Sequence, residues 1–283
     1  MIKLMHMDYA GSIEKPIGIF DSGVGGLSVL RAIRTQLPFE DIIYFGDQEK
    51  VPYGSRSLLE VRQLSDGVVR FLLDEGVKLI VVACNTASAA ALHYLRETFP
   101  FVPFVGMEPA VKPAAENTHT GKVGVLATPA TFQGELYASV VERFAQEVVI
   151  FQETCPGLVG QIEAGKLNSQ EVRNVLEDAL KPMVKQGIDT VVLGCTHYPF
   201  VIPMIAQIVG PNVRVIDPAP AIARQTMHLL ERDQIAKPGP QLSRLTFFTS
   251  AAPADLQALL PKLLGETGSV FGLKWIGNRL VRA

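Results

Sequence analysis

Seven short stretches of this chain are apolar almost without interruption, and longer stretches of helical period separate most of them. The runs are residues 17–20, 41–45, 79–83, 102–105, 123–127, 190–194 and 213–216, rich in Val, Ile and Leu. A strand with one face in water alternates apolar and polar residues. A strand that is apolar throughout is covered on both faces, as in parallel α/β sheets. Residues 57–75, 87–98, 131–145 and 169–187 read as intervening helices, with Ser169 as an N-cap and Gly187 ending the last of them. At 283 residues and 48% hydrophobic content, the chain is long enough to bury two such units.

Two of the runs are near copies. Val77-Lys78-Leu79-Ile80-Val81-Val82-Ala83-Cys84-Asn85-Thr86 matches Ile188-Asp189-Thr190-Val191-Val192-Leu193-Gly194-Cys195-Thr196-His197, and a glycine, Gly76 or Gly187, stands eight positions before each cysteine. Ile17-Gly18-Ile19-Phe20-Asp21-Ser22 similarly echoes Val123-Gly124-Val125-Leu126-Ala127-Thr128, and Glu108-Pro109-Ala110 echoes Asp217-Pro218-Ala219. The separations agree: 66 and 71 residues from Gly18 to Cys84 and from Gly124 to Cys195, then 24 and 22 from each cysteine to its following acid. Three correspondences in one order indicate a duplicated α/β unit. The expected division is a first domain of residues 17–111 completed by 225–283, a second of residues 112–224, and an N-terminal extension of residues 1–16.

The bulk properties exclude several classes. A net charge of −2 leaves no basic surplus for phosphates, so nucleic acid is not an expected partner. No run approaches the roughly 20 apolar residues of a membrane span. The first sixteen residues carry Lys3, His6, Asp8, Glu14 and Lys15 and lack the apolar stretch of a signal peptide. Three cysteines make no disulfide framework and point to free thiols in a reducing compartment, the cytoplasm.

Ligands of open α/β sheets bind beyond the carboxyl ends of the strands. Asp21, Ser22, Cys84, Asn85, Thr128, Cys195, Thr196 and His197 all fall there, and a cleft between two facing halves would gather them. Two thiols in equivalent places suit chemistry on both faces of one small molecule. His197, two positions from Cys195, can exchange protons near neutrality and activate that thiol. Asn85, Thr86, Thr128, Thr131 and Thr196 offer hydrogen bonds to carboxylates, or cap the helices that follow. Asp21-Ser22-Gly23-Val24-Gly25-Gly26-Leu27-Ser28 is a glycine-rich strand-to-helix turn. It fits neither dinucleotide nor P-loop pattern, because Ser28 stands where a glycine is needed and no GxxxxGK[ST] follows. Its N–H groups are expected to face a ligand carboxylate, and Asp21 reads equally well as a helix cap. Zinc is the chemical rival for the Cys and His residues, but neither CxxC nor HxxxH occurs. Cys155 has no counterpart in the other half and reads as structural.

Taken together, GIFDSGVGGLSVL (residues 18–30), YFGDQEKVPYG (44–54), ACNTASA (83–89) and LGCTHYP (193–199) resemble the glutamate racemases of the cofactor-independent aspartate/glutamate racemase family. The resemblance runs from residue 17 to about 250. It implies two pseudo-symmetric three-layer α/β domains with mainly parallel sheets around an active-site cleft. It also implies interconversion of L- and D-glutamate by a two-base mechanism that supplies D-glutamate for peptidoglycan. By matching residues, Cys84 and Cys195 would be the acid/base pair, with Asp21, His197 and Glu163 assisting. Asp21, Ser22, Tyr53, Gly54, Asn85, Thr86, Thr128, Thr131, Thr196 and His197 would bind substrate. No metal or cofactor is implied, and the partner is the small-molecule substrate, with a homodimer left open. Aspartate and hydantoin racemases are the nearest rivals. A one-thiol malonate decarboxylase fits two aligned cysteines less well, and a two-lobed binding module would lack exchange of the α-proton.

Overall fold

The computed structural model describes residues 13–240 and 242–283. Residues 1–12, most of the expected N-terminal extension, lie outside it. Strands β1 (Ile17–Asp21), β2 (Ile42–Gly46), β3 (Leu79–Val82) and β4 (Phe104–Gly106) run parallel in the order β2-β1-β3-β4. Strands β5 (Lys122–Ala127), β6 (Val149–Glu153), β7 (Thr190–Gly194) and β8 (Arg214–Ile216) repeat that order as β6-β5-β7-β8, again parallel. The repeats read from the sequence therefore hold equivalent places. The two cysteine strands, β3 and β7, lie beside the strands that open each half. The acid-proline-alanine segments follow β4 and β8, next to those cysteine strands.

The chain then returns to the first sheet. β9 (Leu245–Thr249) pairs with β2, β10 (Ser269–Ile276) with β9, and β11 (Arg279–Arg282) closes an antiparallel hairpin at the edge, making seven strands. The fold is α/β with mainly parallel sheets, as the uninterrupted runs required.

Both faces of the first sheet are covered. Ile17 and Ile19 of β1 join one core cluster with Leu27, Leu30 and Ile33 of α1 (Leu27–Gln36), and Phe20 joins another with Val61, Val68 and Leu72 of α2 (Leu58–Asp74). The first cluster continues through Leu126, Leu176 and Leu193 into the second half, so the halves share a core. Helix α3 (Asn85–Thr98) follows the first cysteine strand, and α4 (Val111–Asn117) precedes β5. Among the described residues, no helix is long and apolar enough to cross a membrane.

Element boundaries differ from the sequence reading at three places. The helix expected over 87–98 begins at Asn85, because Cys84 itself is the N-cap and its Sγ accepts from the Ala87 N–H at 3.4 Å. The strand expected over 102–105 begins only at Phe104, after Pro103, which has no N–H to give a ladder. The helix expected over 131–145 is two, α5 (Pro129–Gln133) and α6 (Glu135–Phe144), broken at the extended Gly134. A Cβ there would lie 2.6 Å from the Cβ of Ala89, so only glycine lets this turn press against α3. Ser169 caps α8 (Gln170–Lys185) by accepting from Val172 N, after α7 (Leu158–Glu163); Gly187 takes the left-handed φ of +83° just past that helix.

A buried ion pair pins the return crossing. Lys78 Nζ lies 2.6 Å from Glu40 Oε2, with both side chains almost wholly out of solvent. The ammonium also donates to the carbonyls of Ile13 and Ile235, the second of which follows α10 (Ala219–Arg232), itself preceded by α9 (Ile202–Val209). Glu40 accepts from Lys237 N at 2.7 Å. Burial lowers the Lys78 pKa, and the Glu40 carboxylate opposes that fall. Lys78→Met leaves Glu40 buried without its cation, and is expected to destabilise the fold by about 3–5 kcal/mol in urea unfolding. The double variant Lys78→Met/Glu40→Leu should recover much of the loss.

Candidate active site

The carboxyl ends of β1, β3, β5 and β7 meet over one small cavity, with free space of only about 10 Å³. Its walls include Ser22, Tyr53, Gly54, Cys84, Asn85, Thr86, Thr128, Cys195, Thr196 and His197. Asp21, Thr131 and Glu163 stand behind these residues and bond to them. The structure therefore brings every candidate residue into one place.

The glycine-rich turn explains how. Asp21, fully buried at the end of β1, accepts from the N–H groups of Gly23 (3.1 Å) and Gly26 (3.0 Å) through Oδ2, and from Thr196 Oγ1 (3.2 Å) through Oδ1. Burial pushes its carboxyl pKa up, against the pull of the His197 charge and the turn amides. The next amide, Val24 N, donates to Glu163 Oε1 at 2.8 Å. Three of the turn's N–H groups, those of Gly23, Val24 and Gly26, thus hold two of the protein's own carboxylates, where the sequence reading expected a ligand's. The glycines serve close packing instead. A Cβ on Gly23 would fall 2.0 Å from Glu163 Oε1, and one on Gly25 would fall 2.4 Å from His197 Nδ1.

Glu163 is the last residue of α7 and reaches across from the second half. Its Oε1 lies 2.6 Å from His197 Nε2, and the other ring nitrogen, Nδ1, lies 3.8 Å from Cys195 Sγ. Desolvation would favour neutral forms of both partners. The hydrogen bonds to His197, Val24 and Gln48 outweigh it at Glu163, whose pKa is lowered. The Cys195 sulfur and the Glu163 carboxylate outweigh it at His197, which is held well above the ordinary imidazole range. The contacts on both ring nitrogens thus favour the charged form of His197.

Around Cys84 the setting differs. Burial drives its thiol pKa well up, and the nearby Asp21 carboxylate adds to the effect. The adjoining Asn85 is buried, and neither its amide nitrogen nor its oxygen has a partner. A buried amide without partners costs free energy unless a ligand satisfies it. Across the cavity Thr86 Oγ1 lies 2.9 Å from Thr128 Oγ1, which lies 2.9 Å from Thr131 Oγ1. These hydroxyls join the two halves. Gly54 presses on the same place, since a Cβ there would lie 2.5 Å from Thr128 Cβ.

Tyr53 is held from behind. Its hydroxyl donates to Asp47 Oδ2 at 2.6 Å, and Asp47 Oδ1 also accepts from Ser250 Oγ (2.7 Å) and Trp275 Nε1 (2.9 Å). Asp47, Gln48 and the cavity-lining Val159 were not singled out from the sequence. The first two lie in the quoted 44–54 segment, whereas Val159, an apolar helix residue, carried no signal. Cys155 is buried and lines a larger outer space of about 420 Å³ beside the cavity, together with Pro52, Gly54 and Thr128. Among the described residues, no group of three or more His, Cys, Asp or Glu is arranged to hold a metal ion.

A site of this kind, with strand-end thiols from two like halves facing one enclosed space, defines a class of α/β isomerase. The chain belongs to the Asp/Glu/Hydantoin racemase family, whose model matches residues 17–226, and it is accordingly a racemase. It is 48% identical to the glutamate racemase of Pseudomonas paraeruginosa over 255 residues, covering 90% of this chain and 96% of that one. Among solved structures it is similar to a glutamate racemase isoform of Bacillus anthracis, with a TM-score of 0.82 and 34% identity over 91% of this chain and 97% of that one. It is also similar to the glutamate racemase of Francisella tularensis in complex with D-glutamate, with a TM-score of 0.81 and 30% identity over 94% and 98% of the two chains.

The close approach of Gly25 to His197 gives a direct test. Gly25→Ala displaces the ring by a fraction of an ångström to an ångström and is expected to lower racemase turnover about 100-fold. An unchanged far-UV circular dichroism spectrum would show that the fold persists.

Proposed function

We propose that this chain is a glutamate racemase that inverts Cα by proton transfer between two cysteines. The observation that carries the reading is the pair Cys84 and Cys195, at corresponding strand ends of two like halves and both lining one small cavity.

Inversion requires a proton to leave one face of Cα and another to arrive on the opposite face. In the L-to-D direction the Cys195 thiolate, paired with the His197 imidazolium, takes the α-proton and becomes a thiol. The electron pair left on Cα spreads into the α-carboxylate. The Cys84 thiol, which burial keeps protonated, then delivers its proton to the other face and becomes the thiolate. D-Glutamate reacts by the reverse path, beginning from thiolate at Cys84 and thiol at Cys195. Asp21 and the Glu163–His197 pair assist these transfers.

No arginine or lysine is among the residues lining the cavity. Carboxylates are therefore held by neutral donors: the Asn85 amide, the hydroxyls of Ser22, Thr86, Thr128, Thr131 and Thr196, and the turn at Tyr53-Gly54. Hydrogen bonds preorganised on the α-carboxylate strengthen as carbanion charge develops there, and a closed, dry cavity magnifies them. Each acid/base group contributes about 10²–10⁴-fold, so this electrostatic share is essential for so weak a carbon acid.

The same reading divides the chain into a domain of residues 17–111 with 225–283 and a domain of residues 112–224, between which substrate enters. Support comes from β9–β11, which extend the sheet of β1–β4. Its product would supply peptidoglycan synthesis, and free cysteines fit the cytoplasm.

L-Glutamate incubated with the protein in D₂O is expected to give D-glutamate carrying deuterium at Cα, with little label in early recovered L-glutamate. Cys84→Ala and Cys195→Ala should each abolish inversion. Inversion of aspartate or a hydantoin but not glutamate would reassign the substrate. Absence of inversion and exchange with all three would overturn the reading.

A further inference from the structure

Glu163 uses its two oxygens differently. Oε1 takes His197 Nε2 and Val24 N, at 2.6 and 2.8 Å. Oε2 accepts from the side-chain amide of Gln48, whose Nε2 lies 3.3 Å away. The amide oxygen of Gln48 is engaged in turn, accepting from Thr249 Oγ1 at 2.9 Å. Thr249 is fully buried at the end of β9, and its Oγ1 accepts from Ala251 N at 3.1 Å. These contacts settle which way the amide points, because the flipped form would set its oxygen against a carboxylate oxygen.

A continuous line of contacts therefore runs from Thr249 through Gln48, Glu163 and His197 to Cys195. Neither Thr249 nor Gln48 is among the residues lining the cavity. The hydrogen-bond contacts near Cys84 are different ones, notably Ala87 N.

We propose that Gln48, oriented by Thr249, is a positioning residue for the Cys195 side of the reaction: it fixes the Glu163 carboxylate and so holds the His197 ring against the sulfur. This rests on the reading of Cys195 as an acid/base group. The other ionisable groups facing the pair are Asp21 at the end of β1, Tyr44 on β2 and Cys195 itself. Two of them, Asp21 and Tyr44, are distinct from the line of contacts and stay in place when Gln48 is changed.

The sign of the effect follows. An amide donor favours the charged form of Glu163, and a charged Glu163 raises the His197 pKa. Without the donor, His197 should lose its proton at lower pH. The kinetic effect should be one-sided, but not in kcat/KM. Free L- and D-glutamate are mirror images of equal energy, so kcat/KM must remain equal in the two directions. A defect on one side appears instead in which proton transfer limits the rate.

The test uses Gln48→Met, which keeps the length and removes both bonds, together with Thr249→Val and Thr249→Ser. The His197 ring signal, assigned by its loss in His197→Asn, is titrated by NMR in the full-length protein. Its midpoint is expected to fall in Gln48→Met and in Thr249→Val, and to stay at the wild-type value in Thr249→Ser, which keeps the hydroxyl. In Gln48→Met, kcat/KM should drop about tenfold, as for a lost hydrogen bond to a charged group. The primary deuterium isotope effect on kcat/KM should rise with α-deuterated L-glutamate and fall with α-deuterated D-glutamate. An unmoved His197 midpoint, or isotope effects that change alike in both directions, overturns the proposal. Failure of the wild-type protein to exchange the α-proton of either enantiomer overturns instead the functional reading, and the titration still decides whether Gln48 sets the charge of the pair.

Discussion

The contact on which the site depends is that of the Glu163 carboxylate with the turn after β1. One oxygen belongs at once to Val24 N in the first half and to His197 in the second. This bond closes the two halves on each other, and with the Cys195 sulfur it raises the pKa of His197. It forms only because Gly23 and Gly25 have no side chains, since a Cβ on either would occupy the space of the acid or of the ring. The glycine-rich turn is here a device for close approach between two protein surfaces.

The duplicated frame supplies the symmetry that inversion needs, and the residues around it break that symmetry. Cys84 caps a helix in an apolar setting with Asp21 nearby; Cys195 sits against the His197 ring. The two thiols therefore stand in unlike surroundings, with burial and Asp21 raising the pKa of Cys84. Two strand ends of the same topology thus differ in their electrostatics.

Much of the frame was legible in the chain. Uninterrupted apolar runs dictated covered parallel strands, and the echo around Cys84 and Cys195 located the two halves and the ends where ligands bind. The break at Gly134 was not legible, because the cause is Ala89 pressing from another helix. Asp47, Gln48 and Thr249 were passed over for a similar reason. Each looks like an ordinary loop or strand residue until a partner is brought against it: Tyr53 and Trp275 against Asp47, Glu163 against Gln48, and Gln48 against Thr249.

The sequence by itself determined the sheet class, the duplication and the two thiols, because these follow from periodicity and local repetition along the chain. Tertiary structure alone decided that the amides of Gly23, Val24 and Gly26 bind Asp21 and Glu163, and that His197 lies between Glu163 and Cys195. It also left Asn85 unpaired in the wall of the cavity. Those outcomes depend on distances and desolvation between groups remote in sequence. A carboxylate, an imidazole and a thiol have no fixed charge until their neighbours in space are known.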